Sequence, residues 1–149
     1  MARPRQPEAP PSATLAADLG TLIGQFKRRL RQEASAGDFT VSQLSALGRL
    51  DRDGSMTVTE LARAEGMRPQ SMGAIVAVLE TAGLVGGAPD PADGRRTILY
   101  LTPACRELIR AGRAARQDWL SGAIQKKLSA AEQDQLAAAA VLLRRLLEP

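Results

Sequence analysis

The chain has 149 residues, 44% of them hydrophobic and 24% charged, with a net charge of +4, one cysteine and no histidine. This is globular composition, and the length suffices for one domain with a real core. Without histidine the commonest general base and metal ligand are missing, and one cysteine allows neither an intrachain disulfide nor a thiolate cluster. No apolar run approaches the roughly 20 residues that span a bilayer, and the N-terminus lacks the apolar core of a secretory signal. The expectation is a soluble, cytoplasmic protein that is not an enzyme and uses neither a metal nor a cofactor. No membrane partner is expected either.

Residues 1–11 hold four of the nine prolines and are expected to form a disordered tail. From Ser12, the residues Leu15, Leu19, Leu22, Ile23, Phe26 and Leu30 recur at three-to-four spacing. That spacing predicts a helix with one apolar stripe, ended by Gly37 and Asp38. Thr40-Val-Ser-Gln43 is a capping box opening a second helix, with Val41, Leu44, Leu47 and Leu50 on one face. After the turn Asp51–Gly54 and an extended link at Ser55-Met56, Thr57-Val-Thr-Glu60 is a second box, and Gly66 fits the stop of the short helix it opens. Pro69 suits the first position of the next helix, which runs past Met72, Val76 and Leu79 to Gly83.

The period then changes. Leu84-Val85, a turn-rich stretch Gly86–Gly94 and the strand formers Thr97–Leu101 predict a β-hairpin with a long tip. Thr102-Pro103 opens a helix continuing past Trp119 toward Lys127, and Ser129-Ala-Ala-Glu132 opens a last one through Leu136, Ala140, Leu143 and Leu147. The predicted class is mainly α with a small β-hairpin, a winged helix-turn-helix joined to helices from both termini. Residues 37–101 form the DNA-binding lobe in this reading, and residues 12–36 with 102–149 form a helical dimerisation region.

In that geometry the helix from Pro69 can enter a major groove, and the wing tip lies beside it. With Met72, Val76 and Leu79 turned inward, Gln70, Ser71, Ala74, Ala77 and Val78 face outward. Gln70 can pair with an adenine edge, Ser71 can bond a base or a phosphate, and Ala74 can meet only a thymine methyl. Arg68 precedes the helix and can reach guanine or phosphate. Thr57 is read as a helix cap and candidate phosphate contact. In the wing, Arg95 and Arg96 are the candidate DNA contacts. Asp93, two residues before Arg95, can pair with its guanidinium and pre-position it, and Gly94 lets the tip turn tightly.

Charge placement argues less directly. Residues 37–101 carry six basic and eight acidic side chains, a net of −2, so the positive excess lies in the flanks. It includes Lys27, Arg28, Arg29 and Arg31, and Arg106, Arg110, Arg113 and Arg116, and a solvated surface explains these clusters as well as a nucleic-acid partner does. The rival function is therefore a winged-helix protein-interaction module without sequence-specific DNA binding. The Arg95-Arg96 tip weighs against it.

The motifs Thr57–Ala62, Arg68–Met72, Leu79–Val85, Asp90–Arg96 and Leu101-Thr102, in that order, resemble the MarR family of bacterial transcription regulators. The resemblance covers the chain from about Phe39 to Thr102. It implies a homodimer on a palindromic double-stranded operator, most often a repressor released by a small-molecule effector whose identity is not implied. By position, Pro69–Val78 corresponds to the recognition helix, Arg95 to the wing arginine and Asp93 to the aspartate that orients it. The chain departs from the pattern at Gly73, Ala74, Ile75 and Val78, and at Gly86-Gly87, where polar or basic residues are frequent. Fewer base and phosphate contacts are implied. The aromatics Phe26, Phe39, Tyr100 and Trp119 are expected to be packing residues rather than the lining of an effector pocket, and Cys105 a small buried residue rather than a redox switch.

Overall fold

A computed structural model describes residues 11–34 and 37–149. The expected tail at residues 1–11 thus lies outside the described residues except for Pro11. Among the described residues, six helices and one hairpin follow in chain order: α1 (Ser12–Glu33), α2 (Val41–Asp53), α3 (Val58–Ala64), α4 (Pro69–Thr81), β1 (Val85–Pro89), β2 (Thr97–Leu101), α5 (Pro103–Lys127) and α6 (Ala130–Arg145).

The boundaries follow local chemistry. Thr40, Thr57 and Ser129 each accept the N–H of the residue three positions on, while Gln43, Glu60 and Glu132 reach back to the capping residue's N–H. Thr102 caps α5 the same way at Cys105 and also donates its hydroxyl to the Gly83 carbonyl at 2.6 Å, tying the end of the hairpin to the end of α4. Positive φ occurs at Gly66 (64°) and Gly83 (73°), just past α3 and α4, where left-handed backbone closes a helix.

The core is made by α2, α3, α4 and the hairpin. Leu47 and Leu50 from α2, Leu61 from α3, Met72, Val76 and Leu79 from α4, and Leu84, Val85, Leu99 and Leu101 around the hairpin are all buried in one cluster. Val41, expected on the buried face of α2, is instead exposed. It sits in the first turn, and the buried residues of α2 begin one turn later, at Ala46. β1 pairs antiparallel with β2 from Val85↔Leu101 to Pro89↔Thr97. The tip is therefore shorter than its turn-rich composition suggests: Gly86, Gly87, Ala88 and Pro89 are strand, with Pro89 tolerated on an edge. The Ser55-Met56 link contributes a single bridge, in which the Met56 carbonyl accepts the Leu99 N–H at 2.9 Å.

Around this core, α1 packs along α5, with the Arg29 guanidinium 5.2 Å from the centre of the Trp119 ring. Neither α1 nor α6 buries a single residue. No helix among the described residues is long and apolar enough to cross a membrane.

Candidate nucleic-acid interface

Helix α4 is held by one face and presents the other. Met72, Val76 and Leu79 are buried, whereas Arg68, Pro69, Gln70, Ser71, Ala74, Ala77 and Val78 are all exposed, as the spacing predicts. Its start is chemically unlike those of α2, α3, α5 and α6. Arg68 occupies the capping position in extended backbone and makes no side-chain cap, and Pro69 has no N–H to satisfy. The N–H groups of Gln70 and Ser71 thus point out of the helix unpaired among the described residues, at its positive end. Three exposed polar side chains and two free N–H groups converge there.

The turn that aims α4 is clamped from α2. Arg49 Nε donates to Glu65 Oε1 at 2.9 Å, one terminal nitrogen reaches the Ala64 carbonyl at 3.3 Å and the other pairs with Asp53 at 3.0 Å. Ser45 donates to the other Glu65 oxygen. The Glu65 side chain is only 11% exposed, so its charge depends on these partners. The Ser45 and Arg49 hydrogen bonds hold its carboxyl below the ordinary range against the opposing effect of burial. Sequence reading missed this clamp. Its members lie 16 and 20 residues apart, and only the packing of α2 on α3 brings them together.

In the wing, the structure separates residues that adjacency had grouped. Asp90 N–H donates to the Arg96 carbonyl at 2.8 Å and Arg96 N–H to the Asp93 carbonyl at 3.0 Å, closing the tip into a compact loop. Asp93 Oδ1 accepts the backbone N–H of Arg95 at 3.1 Å rather than its guanidinium, so Asp93 shapes the turn and leaves that guanidinium free. Gly94 is not among the glycines with positive φ, so this hydrogen bonding, not left-handed glycine backbone, turns the tip. The Arg95 side chain forms no ion pair among the described residues. Arg96, expected beside it as a second free cation, is instead paired with Glu60 Oε1 at 2.7 Å and lies 3.8 Å from Asp90 Oδ2. The Thr57 hydroxyl is occupied as a cap, accepting the Glu60 N–H at 3.2 Å.

The departures in β1 also have a steric reason. A Cβ on Gly86 would stand 2.5 Å from the Tyr100 ring, and one on Gly87 would meet the Thr97 methyl at 2.8 Å. Glycine lets β2 side chains lie across the strand where a longer residue would project.

A second feature is a cavity of about 940 Å³ among α1, α2 and α5. Leucines and Ile109 line it together with Lys27, Arg31, Arg52, Arg113 and Arg116, while Asp51 is the one acid lining it among the described residues and is paired with Arg113. None of the four aromatic positions lines it. Phe39 packs against the core, Trp119 lies under Arg29, and Phe26 and Tyr100 are 47% and 40% exposed. Cys105 is fully buried, and burial pushes its thiol pKa up, the opposite of a reactive thiolate. No group of three or more metal-ligating side chains occurs among the described residues.

Comparison with known proteins agrees with this fold. Residues 37–96 match the model of the MarR family. An uncharacterised HTH-type transcriptional regulator of Mycobacterium bovis is 38% identical over 136 residues, covering 91% of this chain and 94% of the relative. The crystal structure of a protein from Pseudomonas aeruginosa described as a transcriptional regulator superposes with a TM-score of 0.81 at 38% identity, covering 94% of this chain and 99% of that one. A mutant of MepR from S. aureus, solved bound to an oligodeoxyribonucleotide, shares the fold at a TM-score of 0.69 and 23% identity, over 90% of this chain and 98% of its own.

Proposed function

Because the chain belongs to the MarR family of DNA-binding transcription regulators, which are not enzymes, we propose that it works as a homodimer on a palindromic operator, as a repressor released by a small ligand. The observation that carries the DNA contact is the open start of α4, where Arg68, Gln70 and Ser71 are exposed beside N–H groups that no side chain caps. A phosphate would satisfy those N–H groups, and Gln70 and Ser71 would then stand at the base edges. Ala74, Ala77 and Val78 offer only apolar contact, so the helix reads few bases directly. The free guanidinium of Arg95 supplies a second, outlying contact in the adjacent minor groove, where a narrow groove attracts cations. That MepR is solved with an oligodeoxyribonucleotide supports this use of the shared fold.

The homodimer rests on α1 and α6. Leu15, Leu22, Ile23 and Phe26 on α1 are half exposed, and Leu142, Leu146 and Leu147 at the C-terminal end are exposed further. Residues 12–36 and 102–149 are thus the dimerisation region, and residues 37–101 the DNA-binding lobe. Two recognition helices about 34 Å apart are what successive major grooves on one face require. The cavity among α1, α2 and α5 lies between the two regions, so a ligand there would bias their relative placement.

Selection from a random duplex library, run with the wild type and Arg95→Ala, tests the reading. The expected result is an enriched palindrome. Arg95→Ala is expected to bind that palindrome more weakly, and its slope of log affinity against log salt should be shallower by about one unit per wing arginine removed from the DNA. Absence of enrichment at low salt overturns sequence-specific binding and favours a protein-docking module.

A further inference from the structure

The two wing arginines are adjacent in sequence but differ in every contact they make. Arg95 has its backbone fixed by Asp93 and its guanidinium free, whereas Arg96 is drawn inward to Glu60, 36 residues earlier. Glu60 is already committed. One oxygen accepts the Thr57 N–H at 2.8 Å as half of the α3 capping box, and the other accepts from Arg96 at 2.7 Å. The Thr57 backbone and hydroxyl hydrogen bonds, with Arg96 adding to them, hold the Glu60 carboxyl below its ordinary range. It is therefore charged at neutral pH and available as an anchor. Asp90 completes the arrangement: one oxygen accepts the Ala92 N–H at 2.9 Å, and the other lies 3.8 Å from Arg96 Nε. A single guanidinium thus touches the first turn of α3 and the root of the wing.

Resting on the DNA-binding reading, we propose that Arg96 is a positioning residue rather than a DNA contact. It locks the wing to the N-terminus of α3 through Glu60 and Asp90, so that Arg95 is held at a set distance from the recognition helix. The hairpin has no other ion pair to α3 among the described residues. Its only additional backbone tie to the segment before α3, among the described residues, is the Met56–Leu99 bridge, two residues inside β2 and away from the tip. Without the lock, the loop from Asp90 to Arg96 would pivot about the end of the strands and carry Arg95 with it. The loop's own hydrogen bonds divide these tasks, because Arg95 N–H is held by the Asp93 carboxylate and Arg96 N–H by the Asp93 carbonyl just before β2 begins.

The two possible roles of Arg96 give opposite signs for one conservative change. Glu60→Gln keeps the capping box, which glutamine also completes, and removes only the charge. If Arg96 contacted phosphate, losing a competing carboxylate beside the DNA would tighten binding. As an anchor, its loss weakens binding. On the duplex recovered by selection, Glu60→Gln and Arg96→Gln are each expected to weaken binding about threefold to fivefold, the most an exposed pair supplies. The double variant should be no worse than either single one, and both effects should vanish in an Arg95→Ala background. Without DNA, Glu60→Gln should speed amide exchange at Asp90 and Arg96 while lowering the urea midpoint only slightly, because the pair is exposed. Equal or tighter DNA binding by Glu60→Gln, additive losses, or unchanged exchange at the wing each overturn the proposal. Failure of the wild type to bind any duplex would overturn the DNA reading instead, and the exchange measurement would still decide the lock.

Discussion

Glu65 shows how a single half-buried charge can set the aim of a helix. Its carboxylate accepts from Ser45 and Arg49 of α2, and the same Arg49 reaches the Ala64 carbonyl at the C-terminal end of α3. The turn of the helix-turn-helix is therefore fixed from outside itself, by a helix that also lines the cavity through Ser45 and Gly48. The folded pKa of Glu65 lies below its ordinary value of 4.5, so the folded protein binds fewer protons than the unfolded one as pH falls through that range. The stabilisation is fully present above about pH 4.5 and is lost on acidification through the folded pKa. Glu65→Gln is expected to lower the urea midpoint at pH 7 and to converge with the wild type at acid pH. A deficit that stays constant across that range would show that the charge is not what holds the turn.

At the scale of elements, caps and stops do most of the placing. Four of the six helices begin at a Thr or Ser whose oxygen accepts an early N–H. The exception that bears on the proposed DNA contact is α4, which begins at Arg68 with its start left open. Between α3 and α4 the chain reverses at Gly66, whose φ of 64° lies in a region that a Cβ penalises, although nothing crowds the site. Gly66→Ala is accordingly expected to cost about 1–2 kcal/mol through backbone conformation alone, read as a lowered urea midpoint with an unchanged slope. The same change at Gly73, which has ordinary φ and open space, should cost nothing and provides the control.

For the whole molecule, the apolar faces of α1 and α6 are the largest departure from a self-sufficient monomer. Ile23 is 51% exposed and Leu142 58%, each within a stripe that recurs along its helix. A charge at such a position costs a monomer little, because the side chain already faces water. Within a dimer it would be buried and unpaired. Ile23→Glu and Leu142→Glu are expected to halve the mass measured by analytical ultracentrifugation at micromolar concentration while the core of α2, α3, α4 and the hairpin stays folded. Cooperative binding to a two-fold site should be lost with it. A wild type that sediments as a monomer would sink the dimer outright.

Much of this was legible in the residues because it rests on local rules. Capping boxes, Pro69 at a first helical position, glycine stops and the strand formers of Thr97–Leu101 each act over three or four residues, and the inward face of α4 follows from helical spacing alone. The ordered motifs from Thr57 to Thr102 carried the family, and Cys105 proved buried as its residue type suggests. What needed the tertiary structure was every choice among partners. Arg95 and Arg96 look equivalent in sequence, and only the approach of α3 to the wing gives one a carboxylate and leaves the other free. The clamp on Glu65 and the extension of β1 through two glycines have the same origin, whereas the bond from Arg95 N–H to Asp93 spans only two residues and is local. Local propensity depends on neighbours along the chain, whereas an ion pair or a close approach depends on distances that exist only once the core has brought α2, α3, α4 and the hairpin together.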